Sequence, residues 1–134
     1  MSYKLGENSK LIAAIAPATL AAGSKNGTII DRYGFYDGIV HLAVGTATGS
    51  PTAQGVSLKM QSGNEADGND MIDVAGDVLA ALTANNTESE LNLDLNPYGR
   101  YLRVVPAVTF TGGTSPTIPV AVTIVLGNSI NIPV

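Results

Sequence analysis

Leu91-Asn92-Leu93-Asp94-Leu95-Asn96 alternates apolar and polar residues without an error, and no other feature constrains the chain as much. Successive side chains of a pleated strand point to opposite faces, whereas a helix would repeat its apolar positions about every 3.6 residues. A slip of one residue would put three leucines in water, so the run fixes the register of a strand as well as its type. The pattern recurs along the chain. Val40, Leu42 and Val44 share a face, with His41 on the other, and so do Val56, Leu58 and Met60, opposite polar residues. Two longer runs follow, with Leu102, Val104, Pro106, Val108 and Phe110 on one face of the first and Ile118, Val120, Val122, Ile124 and Leu126 on one face of the second.

Strands are therefore predicted near 28–33, 38–44, 55–61, 89–95, 101–110 and 117–126. The glycine-rich stretch from Thr111 to Pro116 reads as the turn of a hairpin between the last two. Pro106 and Pro119 each lack a ladder donor, which places them at a sheet edge or a bulge. Asn26-Gly27 is a turn signal, since both residues tolerate positive φ. Leu11 to Leu20 is rich in alanine, but Pro17 would break a helix in its middle, so an extended strand is expected there. Only Met71 to Leu82 shows roughly helical spacing, in Met71, Val74, Val78 and Leu82, and Gly76 limits it to a brief helical turn. Many short strands without a βαβ rhythm define the fold class: all-β, an antiparallel β-sandwich, jelly-roll-like or Ig-like, with an extended N-terminal arm. Residues 1–26 form the arm with its first strand, and 27–134 the sandwich domain.

The exterior of such a sandwich must be built largely from Ser, Thr, Asn and Gly, because only 13% of the residues are charged and 5% aromatic. With 134 residues, one core is feasible without staples. The chain contains no Cys, which excludes disulfides, thiolate metal sites and a cysteine nucleophile. A net charge of −4 and seven scattered basic residues argue against nucleic acid as the main partner. The distribution is uneven. Glu65, Asp67, Asp70, Asp73, Asp77, Glu88, Glu90 and Asp94 lie between Met60 and Asn96 with no Lys or Arg, while the rest of the chain carries all seven basic residues but only Glu7, Asp31 and Asp37. The stretch from Lys10 to Gly23 imitates a signal peptide, but Glu7 occupies its basic region and Pro17 interrupts its apolar run, and it is too short for a membrane span.

Chemistry-bearing constellations are scarce. His41 is the single histidine and lies on a strand face between Val40 and Leu42, without identifiable acid-base partners. No Ser stands in a Gly-x-Ser-x-Gly elbow, which weakens a hydrolase reading. The run from Gly63 to Asp70 offers oxygen ligands at close spacing, but it lacks the terminal Glu of a calcium loop, so a solvated hairpin loop is expected. Gly45 to Gly49 and Gly112-Gly113 lack the helix and Lys of a phosphate cradle and read as turns. No catalytic residue, metal site, cofactor or small-molecule substrate is assigned.

Asn26-Gly-Thr-Ile-Ile-Asp-Arg-Tyr-Gly-Phe-Tyr36, Gly55-Val-Ser-Leu-Lys-Met-Gln61 with Asp73-Val-Ala-Gly76, Tyr101-Leu-Arg-Val-Val105 with Thr111 to Pro116, and Val125-Leu-Gly-Asn128 together resemble a family of small proteins encoded in the head-gene regions of tailed bacteriophages and prophages. The similarity spans roughly residues 10 to 130 as a pattern of turns and strands, without a chemical motif. It implies a virion protein of the capsid surface, a decoration or cement protein whose partner is the major capsid protein, leaving room for a homo-oligomer. No nucleic acid or membrane partner is expected, nor any enzymatic activity. The polar first ten residues have little to fold around, so Lys4, Leu5, Lys10 and Leu11 are the candidate contacts to capsid or oligomer. An alternative is a carbohydrate-binding or adhesin-like module, for which Tyr33, Phe35 and Tyr36 would supply the platform or, equally, form a core corner. A small hydrolase is the weakest reading.

Overall fold

The computed structural model describes residues 9–127, which form nine strands and no helix. The strands are β1 (Lys10–Leu20), β2 (Gly23–Ser24), β3 (Ile30–Asp31), β4 (Asp37–Val44), β5 (Ala53–Gly63), β6 (Ile72–Leu82), β7 (Glu88–Asp94), β8 (Tyr101–Thr111) and β9 (Ile118–Gly127). One sheet has the order β1-β9-β4-β7 and the other β2-β8-β5-β6, with β3 also on β8. All pairings are antiparallel.

Between β2 and β3 the chain stays along β8, donating from Lys25 N–H to Pro106 O and from Gly27 N–H to Val104 O, so β2 and β3 act as one interrupted strand. Counted that way, eight strands lie in two four-stranded sheets and the chain changes sheet at every connection except β5 to β6. This is the strand order of a jelly roll, which selects between the two sandwich types the sequence allowed.

The alternating faces meet as the sequence requires. Val40, Leu42, Leu93, Val120, Val122, Ile124 and Leu126 of one sheet pack against Val56, Met60, Leu102, Val104 and Val108 of the other, all of them buried. The strand expected at 11–20 forms as β1 on the free side of β9, with Ala14 and Ile15 buried in the core. β1 is thus part of the sandwich. Pro17 sits at a register shift of this edge strand, where a missing ladder donor costs little. Pro106 and Pro119 lie in the central strands β8 and β9 and not at sheet edges; their carbonyls accept from Lys25 and from Gly45, so their nitrogens face the interrupted strand and the end of β4, where a ladder donor is dispensable.

Three further expectations are corrected. Met71 to Leu82 holds no helical turn. Ile72–Leu82 is an edge strand whose two register shifts against β5 insert extra residues, so the inward-facing Val74, Leu79 and Leu82 do not recur at a regular spacing of two. Irregularity of this kind imitates a helical period. The last two long strands do not form a hairpin. β8 lies in the centre of one sheet and β9 in the centre of the other, and the link between them crosses the sandwich, tied by Thr114 N–H to Gly49 O and by the Thr48–Thr117 bridge. A one-sided apolar pattern is the same for a hairpin and for a crossover. Finally, neither Asn26 nor Gly27 has a positive φ. Gly27 is needed for close approach, because a Cβ there would lie 2.8 Å from Val104 Cγ2 and 2.9 Å from the carbonyl oxygen of Ala14.

Candidate functional site

Three connections gather at one end of the sandwich: residues 32–36 between β3 and β4 and 95–100 between β7 and β8, which cross between the sheets, and 64–71 between the neighbours β5 and β6. Arg32 is the clamp among them. Its Nε donates to Gly99 O at 2.8 Å, its Nη2 to Tyr98 O at 2.6 Å and its Nη1 to Phe35 O at 3.2 Å. Backbone bonds complete the hold, with Arg32 N–H donating to Arg100 O, Leu95 N–H to Tyr36 O, and Tyr36 N–H to Gly127 O. Gly99 N–H donates to Ser62 Oγ at 2.6 Å, and Asn64 Oδ1 accepts from Arg100 N–H at 3.3 Å. These bonds tie the 32–36 and 95–100 connections to each other at several points and the start of the 64–71 loop to residue 100.

Two open depressions flank residues 97–99. One, of about 600 Å³, is lined by Asp70, Asp73, Asp77 and Asp94 together with Ser62 and Asn64. Its carboxylates are engaged within the fold. Asp70 accepts from Asn64 and Glu65 N–H, and these bonds, Asn64 first, hold it below the usual carboxylate range. Asp73 is held low by Gln61 and then by Lys59. Asp67 accepts from the backbone and the side chain of Asn69. The run from Gly63 to Asp70 is thus a self-bonded loop, and no cluster among the described residues is arranged to hold a metal ion. The buried Tyr98 donates its hydroxyl to Asp77 Oδ2 at 2.6 Å, and burial, followed by this hydrogen bond and the Asp77 charge, raises its pKa.

The other depression, of about 400 Å³, is lined by Arg32, Tyr33, Tyr36, Tyr98 and Arg100 with two glycines, and by no carboxylate. Tyr33 is 71% exposed and Tyr36 45%, whereas Phe35 packs against the core. The three aromatics considered together in the sequence therefore divide, two outward and one inward. Asp31 and Arg100 form a pair at 2.9 Å, with the Arg100 bond as the main cause of a lowered Asp31 pKa. The Arg100 guanidinium lies 5.1 Å from the Tyr33 ring centre and 5.4 Å from that of Tyr101.

Of the four contact candidates, Lys4 and Leu5 lie outside the described residues. Lys10 and Leu11 open β1, opposite Leu126 and Val125. Both are exposed, and Leu11 continues across the outer face of its sheet as a row with Val125 and Ile39. His41 lies on that outer face, 3.2 Å from Glu88 and open to solvent. What the sequence could not reveal is the clamp, because Arg32 and its partners Tyr98 and Gly99 are 66 and 67 residues apart.

The fold also gives the charge division a shape. β6 and β7 are edge strands on the same flank of the two sheets, and with the 64–70 loop they carry all eight acids of the 61–95 stretch. Lys10 and Lys25 lie on β1 and after β2, on the opposite flank, and Arg32 and Arg100 flank the 97–99 turn, whereas Lys59 on β5 pairs with Asp73 and Arg103 reaches Gln61 beside the acidic loop.

No family model matches the chain, and no curated protein matches it. Among solved structures it is similar to the SPBc2 prophage-derived protein YomS, at 14% identity and a TM-score of 0.48, over 90% of this chain and 94% of that one. A chain of Desmodium yellow mottle tymovirus is similar at 10% identity and a TM-score of 0.31, over 99% of this chain and 95% of the other. Both likenesses are too loose to carry a function from one chain to another.

Proposed function

We propose that this chain is a non-enzymatic structural protein of the tailed-phage head, a decoration or cement protein that binds the lattice of major capsid protein from outside. The observation that supports work by surface contact is the acidic flank of a closed jelly roll, where β6, β7 and the 64–70 loop gather eight of the chain's eleven acids. Such a molecule is oriented by any charged surface it approaches, and its outward apolar residues then supply the short-range contact. The resemblance of the segments at 26–36, 55–61, 73–76, 101–105, 111–116 and 125–128 to proteins encoded in phage head-gene regions supplies the lattice. Contact energies that are modest for one copy stiffen a shell when many symmetric copies repeat them.

The test is addition of the purified protein to phage heads that lack it. Stoichiometric binding that weakens from low salt to about 1 M, where the screening length falls to about 3 Å, is expected. Deleting residues 2–8, and with them Lys4 and Leu5, should weaken attachment while leaving the melting temperature within about 2 °C, because ordering an arm costs about 1–2 kcal/mol per residue and needs a partner surface to offset it. Heads that bind none of the full-length protein would overturn the proposal. Saccharide recognition is the second reading, favoured by the outward display of Tyr33 and Tyr36, and glycan-array binding tests it.

A further inference from the structure

We infer that the Tyr33–Tyr36–Arg100 corner is the anchor through which the protein grips its protein partner, by inserting the two rings into an apolar depression of the partner with carboxylates or carbonyl oxygens at its rim. The inference rests on the proposed function and names the surface that performs it.

An exposed tyrosine alone means little, since folded proteins expose much apolar surface. The construction beneath these two is what carries weight. The backbone of 32–36 is held from three directions, by Arg32 on Tyr98 and Gly99, by Leu95 N–H on Tyr36 O, and by Tyr36 N–H on Gly127 O. Asp31 Oδ1 accepts from Tyr33 N–H at 3.0 Å, which fixes the start of the loop. A guanidinium is thereby spent on three backbone carbonyls to hold a loop whose own Tyr33 then projects into solvent at 71% exposure. The core gains nothing from that ring. A display fixed before binding loses little freedom on binding, and rings with few rotatable bonds lose least.

The flanking chemistry defines the partner. Arg100 engages Asp31 through Nε and Nη2, leaving Nη1 without a hydrogen-bond partner among the described residues, and its plane lies over one side of Tyr33. The depression beside the rings contains two guanidiniums and no carboxylate, in a chain whose net charge is −4. Acceptor groups on a partner are therefore matched here and repelled along the β6–β7 flank. Tyrosine and arginine together at a rigid corner are the residue types that dominate protein interfaces. The row Leu11, Val125 and Ile39 begins beside the same corner, since Asp37, next to Tyr36, pairs with Gly127, and it extends the apolar contact across the outer sheet face.

The test compares wild type, Tyr33→Ala, the Tyr33→Ala/Tyr36→Ala pair, Arg100→Lys and a distant control, Val78→Ser on the exposed part of β6, for binding to heads that lack the protein. Tyr33→Ala should weaken attachment about tenfold, the pair about a hundredfold and Arg100→Lys about fivefold, as hot-spot truncations do. Val78→Ser should bind as wild type does, and all should melt close to wild type because the side chains are exposed. Wild type that attaches while the double variant attaches equally would overturn the anchor and leave the proposed function standing. Wild type that fails to attach overturns the proposed function and the anchor together. Tyr33-dependent capture of a saccharide by a protein that ignores the heads would overturn the partner class.

Discussion

Replacing Tyr98 by Phe removes one oxygen atom from a buried ring and leaves the packing intact, so its cost isolates the bond to Asp77. That bond, at 2.6 Å, ties the β7–β8 connection to the edge strand β6. Hydrogen bonds to charged groups contribute about 1.5–3 kcal/mol. Asp77 is only half-buried and water can replace the phenol, which brings the expected loss to about 1–2 kcal/mol, or about 3–6 °C in melting temperature for a chain of this length. The pH dependence has a definite sign. Burial, then Asp77, raises the Tyr98 pKa, so the folded state keeps the phenol protonated while the unfolded chain ionises it near about pH 10. The stabilisation is fully present below about pH 10 and is lost as the pH rises above it. Urea unfolding of both proteins from pH 7 to pH 11.5 should therefore show a gap that is constant up to about pH 10 and then closes. Equal stability at pH 7, or a gap unchanged to pH 11.5, would refute the reasoning.

Gly27→Ala should cost about 2–3 kcal/mol in urea unfolding, because the new methyl meets the Ala14 and Val104 carbonyl oxygens, which belong to two different sheets and cannot both retreat. A variant as stable as wild type would mean that the interrupted strand at 23–31 does not run against β8 at this distance. Leu93→Asp should cost about 4 kcal/mol or more, since Leu93 is 3% exposed and the substitution both opens a cavity and buries an unpaired carboxylate. Melting within a degree of wild type would show that this face of β7 is open to water.

The strands were legible where burial is one-sided and uninterrupted. Leu91 to Asn96 and Ile118 to Leu126 could be read residue by residue, because the core faces of β7 and β9 follow the period of the pleat. Legibility failed where the backbone departs from that period, as in β6 with its bulges and Gly76 at a φ of +86°. It failed again over partners. Nothing in the face of a strand tells which sheet it joins, so β8 and β9 read as neighbours although β5 and β2 flank the one and β1 and β4 the other. At the candidate site the aromatic cluster was visible in sequence, but which rings point outward depends on Arg32 reaching carbonyls some 66 positions away. Long-range bonds from a side chain to a backbone oxygen leave no local pattern.

The place of β9 in the middle of its sheet bears on how the chain comes into being. β1 has β9 as its only sheet partner among the described residues, and β4 needs β9 on one side, so the last of the described strands is the keystone of the first sheet. A nascent chain that has emerged only as far as β8 can assemble one sheet but must hold β1 and β4 unpaired to each other, with their apolar faces waiting. Premature termination before residue 118 would therefore remove the centre of a layer and leave a species with open strand edges, prone to aggregate. Pairing of β1 with β9 closes the longest sequence separation among the described pairings, between Lys10 and Leu126, so by loop-closure entropy it is expected late in folding.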